Sequence, residues 1–156
     1  MDFKKIVLLA AGTLLVGALW LNWWTQPERQ IPRAQARLLA AIERRNFQDM
    51  SHMLADNYSD RWQQDKSIVT GRCREVFADF ALLTIEHAPQ GLQPRDDAWA
   101  LSEKVQIKGL GGPIALAARD GINALREPFT MLWHQRSWKP WDWELRSVEH
   151  PTLELP

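Results

Sequence analysis

The stretch WALSEKVQI, Trp99 to Ile107, alternates with a period of two: Trp99, Leu101, Glu103, Val105 and Ile107 fall on one side, and Ala100, Ser102, Lys104 and Gln106 on the other. Only an extended chain holds such residues on a common face, so the spacing predicts a half-buried β-strand. Leu83, Ile85 and His87 repeat the period just before it. A segment carrying Pro89, Gly91 and Pro94 lies between, and the whole reads as two strands paired across a loop. Downstream, REPFTMLWHQR and DWELRSVEH read as two further strands around the turn-prone SWKPW, with Lys139 and Pro140 at its centre.

Upstream the period lengthens. Ala34, Leu38, Ala41, Ile42 and Arg45 follow one helical face, Leu39 widens the stripe, and Pro32 suits a first-turn position. Phe47, Met50 and Leu54 mark a second short helix closing near Asp56 and Asn57, and Thr70 is the expected N-cap of a third helix bearing Cys73, Val76, Phe77 and Phe80. KGLGGP reads as a turn and lacks the spacing of a phosphate-binding loop, and Ile114 to Leu125 fits either a strand or a loop. Helices first and a meander after them predict an α+β domain, with about three helices packed on one face of an antiparallel sheet.

Composition narrows the classes. The chain has 156 residues, 46% of them hydrophobic, and nineteen basic residues balance nineteen acidic ones, so there is room for one core and no basic footprint for a nucleic acid. A single cysteine excludes an intrachain disulfide, and the absence of CxxC, HExxH or clustered His and Cys predicts no metal site. No cofactor is expected.

At the N-terminus, Lys4 and Lys5 precede IVLLAAGTLLVGALWLNWW, Ile6 to Trp24, which carries no charge. As a helix it would be roughly 28 Å long, close to the hydrocarbon thickness of a bilayer. Trp20, Trp23 and Trp24 stand at its far end, where indoles favour the headgroup region, and the lysines mark the cytoplasmic side. The favoured reading is an uncleaved single-pass anchor. A cleaved signal with Val16 and Ala18 before the cut is the alternative. The expected division is a cytoplasmic tail over 1–5, an anchor over 6–24, a linker over 25–32 and the α+β domain over 33–156. It places the domain at the cell membrane, on the periplasmic or extracellular side.

Three stretches carry a resemblance: LADNYSDRW after the helical pair, TGRCREVFADF, and the closing WELRSVEH. Together with the element order they make residues 32–150 similar to the nuclear transport factor 2-like (NTF2-like, also SnoaL-like or cystatin-like) superfamily, an α+β cone shared by ketosteroid isomerases, scytalone dehydratases and polyketide cyclases. The resemblance implies an open cone with a pocket, and a superfamily that includes enzymes, carriers and structural modules. No position here matches the isomerase aspartate or the dehydratase histidine and aspartate, so no catalytic residue is carried over.

Strand parity sets His87, Trp99 and Glu103 on inward faces, and Tyr58 and Asp60 precede the third helix. These five are the candidate pocket-lining residues. If His87 and Glu103 meet, they form a buried acid-base pair suited to isomerisation, dehydration or hydrolysis of a small hydrophobic substrate, with Tyr58 steadying an oxyanion. The blander expectation places His87 by a loop and Glu103 at a wet sheet margin. His52 and His134 read as exposed, His150 as near an exposed end, and Cys73 as a core residue. Trp143 shares parity with Leu145 and belongs inside, whereas Trp138 and Trp141 flank a bend and form a candidate surface contact, for a partner or the membrane surface.

The favoured function is therefore a membrane-anchored, non-catalytic module that binds a small apolar ligand or a protein partner, a second copy of the chain included. Its layout is similar to that of type IV secretion assembly factors, which carry this fold behind one N-terminal helix. An anchored enzyme using the cone as its pocket is the alternative.

Overall fold

The computed structural model describes residues 3–153, and of residues 3–5 the backbone alone. The tail expected over 1–5, with its two lysines, lies outside the described residues except for that backbone, which is helical. In chain order the elements are α1 (Phe3–Trp24), α2 (Pro27–Glu43), α3 (Phe47–Met53), α4 (Lys66–Ala78), β1 (Phe80–Arg95), β2 (Ala98–Gly111), α5 (Pro113–Ala124), β3 (Phe129–Gln135) and β4 (Trp143–Glu149). The strands form one antiparallel sheet in the order β1-β2-β3-β4. This is an α+β architecture with helices packed against an open sheet.

The period-two stretch is a strand with the expected parity: Leu101 and Ile107 are buried and Glu103 is fully so. Trp99 pairs with Trp133, Leu101 with Met131, and Trp133 in turn with Leu145. Against this face α2 lays Ile31, Ala34, Leu38, Ala41 and Ile42, one stripe at helical spacing. Burial of each large aliphatic side chain contributes roughly 1.5–3 kcal/mol.

Four boundaries differ from the sequence reading. The linker expected over 25–32 is mostly helix, because α2 starts at Pro27, where proline sacrifices no hydrogen bond, and runs through Pro32. Gln30 and Ile31 are buried there, and that packing offsets the bond lost at Pro32. The third helix is capped by Asp65, not Thr70. Asp65 Oδ1 accepts from the Ser67 and Ile68 amides at 2.8 and 2.9 Å, while Thr70 bonds back to the Lys66 carbonyl within the helix.

The loop expected around Pro89, Gly91 and Pro94 is strand. β1 runs on to Arg95 with a register shift between Pro89 and Gly91, and the turn falls at Asp96 and Asp97. β1 is the sheet's outer strand, where a missing N–H goes unnoticed. The segment after KGLGGP is α5, neither strand nor loop. Pro113 opens it, and the Asp79 carboxylate accepts from the Ala115 amide at 2.9 Å. A side chain at Gly112 would fall 2.4 Å from that same carboxylate, so the glycine lets the acid approach.

The other sheet edge is covered. The segment after α3 lies along β4, with Ala55 N donating to Leu145 O at 2.9 Å and Ser59 N to Arg146 O at 3.1 Å. Along α1, the window from Ile6 to Trp24 is long and apolar enough to cross a membrane, and none of it is buried. A core helix is thereby excluded as its role.

Candidate functional site

Between α2–α4 and the sheet lies a cavity of about 200 Å³. Its wall is chiefly apolar: Leu38, Leu39 and Ile42 from α2, Met50 from α3, Met131 from β3, and Leu145 and Val148 from β4. Gln35, Tyr58, Asp60, Gln64 and Cys73 add the polar side chains.

Each polar group has a traceable constraint. Tyr58 is buried, and its hydroxyl is pushed well above the usual tyrosine range by burial first and by the neighbouring Asp60 charge second, so it stays protonated. Asp60 Oδ1 accepts from the Trp62 and Gln64 amides, both at 2.9 Å, an arrangement that fixes the turn into α4. Cys73, expected in the core, is half-buried and packs against it, and burial pushes its thiol up to about 11.

His87 and Glu103 do meet, at 2.6 Å between Nδ1 and Oε1, and Glu103 is fully buried. Sequence parity therefore identified the pair, and the wet-margin expectation for Glu103 fails because α2 covers that face. Its other oxygen accepts from Gln35 Nε2 at 2.5 Å. Burial raises the Glu103 carboxyl above its ordinary range, opposed by the His87 bond and charge and by the Gln35 bond. Neither His87 nor Glu103 lines the cavity; Gln35 stands between, with its Oε1 buried and without a hydrogen-bond partner.

The five expected pocket residues thus divide. Tyr58 and Asp60 line the cavity, His87 and Glu103 sit behind Gln35, and Trp99 is half-buried against the core, away from the wall. Gln35 was missed, although a lone amide on the stripe of Ile31, Leu38, Leu39 and Ile42 is a readable signal. His150 was misread. It is fully buried, Nε2 donates to the Glu127 carbonyl at 3.0 Å, Nδ1 accepts from the Leu153 amide at 3.0 Å, and the Phe129 ring packs against it at 4.8 Å. His134 is half-buried between Glu144 and Asp97, at 3.4 and 3.7 Å. His52 is exposed as expected. Among the described residues, no group of three or more His, Cys, Asp or Glu is placed to hold a metal ion.

The three indoles near the chain's end also separate. Trp143 is buried and donates to the Pro140 carbonyl at 2.7 Å, whereas Trp138 and Trp141 are 84% and 47% exposed. The Trp141 ring lies 6.5 Å from that of Trp24, at the end of α1.

Solved structures superpose on this arrangement. The fold is NTF2-like. An NTF2-like protein from Cytophaga hutchinsonii matches with a TM-score of 0.55 at 12% identity, over 79% of this chain and 95% of its own. A conserved protein from Planctomyces limnophilus matches with a TM-score of 0.57 at 14% identity, over 78% of this chain and 91% of its own. A proposed dehydratase of the NTF2-like family from Streptomyces avermitilis matches with a TM-score of 0.56 at 16% identity, over 77% and 91%. At these identities the likeness concerns the fold alone. No family model matches the sequence, and no curated protein sequence matches it.

Proposed function

We propose that this chain is a membrane-anchored, non-catalytic NTF2-like module that binds a small apolar ligand in its cone. The observation that carries the reading is the cavity: its wall is apolar, Asp60 is engaged in a turn, and the Glu103–His87 pair is screened from it by Gln35. A dry cavity of about 150 Å³ lined by aliphatic and aromatic groups binds benzene, so about 200 Å³ suits one or two rings. The unpartnered Gln35 Oε1 favours a ligand with one hydroxyl or N–H donor. In this reading α1 crosses the cell membrane once, and the lysines at its start favour a domain held outside the cytoplasm, in the periplasm or beyond it.

The test uses the methionines. The full chain, labelled with 13C at the methionine methyls and held in lipid nanodiscs, is titrated with phenol. Saturable shifts at Met50 and Met131, which line the cavity, with Met53 unmoved, are expected. Shifts that never saturate, or that spare both cavity methionines, would overturn the reading.

An anchored isomerase, dehydratase or hydrolase is the second reading, favoured by the buried 2.6 Å contact of Glu103 and His87 and by the protonated Tyr58. It requires Gln35 to swing aside so that substrate meets the carboxylate. A docked protein segment, as in an assembly factor, would occupy the same cone or the hairpin tip. Unchanged phenol binding in Glu103→Gln, with no turnover of any cavity ligand by the native chain, would leave the binding reading standing.

A further inference from the structure

We infer that the β3–β4 hairpin tip is a second membrane contact, seating Trp138 and Trp141 in the lipid headgroup layer beside the end of α1. This rests on the reading of α1 as a membrane span. If α1 crosses the bilayer, Trp20, Trp23 and Trp24 lie at the interface by their place in the helix. Trp141 then lies there too, because its ring centroid is 6.5 Å from that of Trp24.

The tip is built to hold that pose. Gln135 Nε2 donates to the Lys139 carbonyl at 3.1 Å, Trp143 Nε1 to the Pro140 carbonyl at 2.7 Å, and Ser137 Oγ to Asp142 Oδ2 at 2.5 Å. These bonds turn the one acid of the bend inward, toward Ser137 and Arg136, and leave Lys139 exposed between the two indoles. Indoles with an ammonium between them match a layer of ester carbonyls and phosphates. Arg29 stacks on Trp23 at 3.3 Å and Arg33 faces Trp24 at 5.3 Å, so the α1 side of the contact has the same pairing of cation and indole. A protein partner would need no such repetition at the end of an apolar helix. The consequence is orientation: a domain tied at α1 and at the hairpin tip cannot swivel freely about a single tether.

Depth measurement tests this in the full chain, in vesicles of mixed phosphatidylcholine and phosphatidylglycerol. In a Cys73→Ala background, a nitroxide is attached at Leu14→Cys in α1, at Lys139→Cys in the tip, or at Asp120→Cys on α5, which packs on the far end of β2. Collision with oxygen and with a water-soluble nickel chelate reports depth. The expected order is deep for position 14, headgroup level for 139 and aqueous for 120. A deep label at 14 with an aqueous one at 139 overturns the hairpin contact, returns the tip to a protein partner and leaves the anchor standing. An aqueous label at 14 overturns the anchor and the hairpin contact together. Should the cysteine variants misfold, Trp138→Phe in the native background is the second measure. The emission it removes is expected to be the share quenched by lipids brominated near the headgroup; loss of the acrylamide-quenched share alone would overturn the contact.

Discussion

Glu103 and His87 meet at 2.6 Å beneath α2, the carboxylate wholly buried and the imidazole edge still about a quarter exposed, at 27%. The sheet thus holds an ionisable group that water reaches from one side only, through its partner.

The two members differ in what their replacement does to stability. His87→Ala leaves the Glu103 carboxylate with Gln35 alone, and a buried polar group stripped of one partner costs about 1–3 kcal/mol. Glu103→Gln keeps the shape and removes the charge. Urea denaturation at neutral pH is expected to show a loss for His87→Ala and no loss for Glu103→Gln.

The same carboxyl predicts a pH slope. Its folded pKa is raised by burial above its ordinary value of 4.5, so across that window the native state holds a proton that the unfolded chain has released. Stability tied to Glu103 is therefore full at lower pH and falls as pH rises from about 4.5, with a slope no steeper than about 1.4 kcal/mol per pH unit. Thermal melts of the native chain and Glu103→Gln across that range should converge at the acid end and separate toward neutrality.

Helix α4 offers a test of its own start. Asp65→Ala removes an acceptor for two orphan amides and should cost about 1 kcal/mol, whereas Thr70→Ala, deleting a hydroxyl that bonds back within the helix, should cost under about 0.5 kcal/mol. The reverse order in denaturant titrations would contradict the observed cap.

The indoles should behave in opposite ways. Trp143→Ala empties a buried site and is expected to lower stability by about 3–5 kcal/mol, while Trp138→Ala in detergent should stay within about 0.5 kcal/mol.

Cys73 should be nearly inert. With its thiol pushed up to about 11, its thiolate fraction at pH 8 is on the order of a thousandth, so labelling by a disulfide reagent should run at least about a hundredfold below that of an exposed cysteine. Labelling that accelerates in step with urea would confirm that opening of the core is required.

What the sequence displayed was whatever a period can display. Leu101, Glu103 and Ile107 face one way because one side of β2 is buried and the other is not, and Ile31, Leu38 and Ile42 mark their helix for the same reason. What it hid depends on contacts distant along the chain. Gln35 meets Glu103 across 68 positions, and Asn123 ties α5 to both backbone groups of Ile107 at 2.8 and 2.7 Å. With only Ala115 buried in α5, there was little stripe to read. His150 is interior because the chain folds back at Pro151, with Thr152 and Leu153 closing on the ring, and no local pattern encodes that return. The hairpin tip was legible as exposed; its neighbour at the end of α1 was not.

The prolines that disguised the second half of β1 as a loop have a further role. With β4 shielded by the segment after α3, β1 is the sheet's open margin, and a margin of sixteen residues is long enough to template intermolecular strand pairing and fibril growth. Pro89 and Pro94, with the irregularity beside Gly91, interrupt the row of donors that an incoming strand would need. The chain can thus carry an unusually long terminal strand and still resist templated aggregation along that half of its edge.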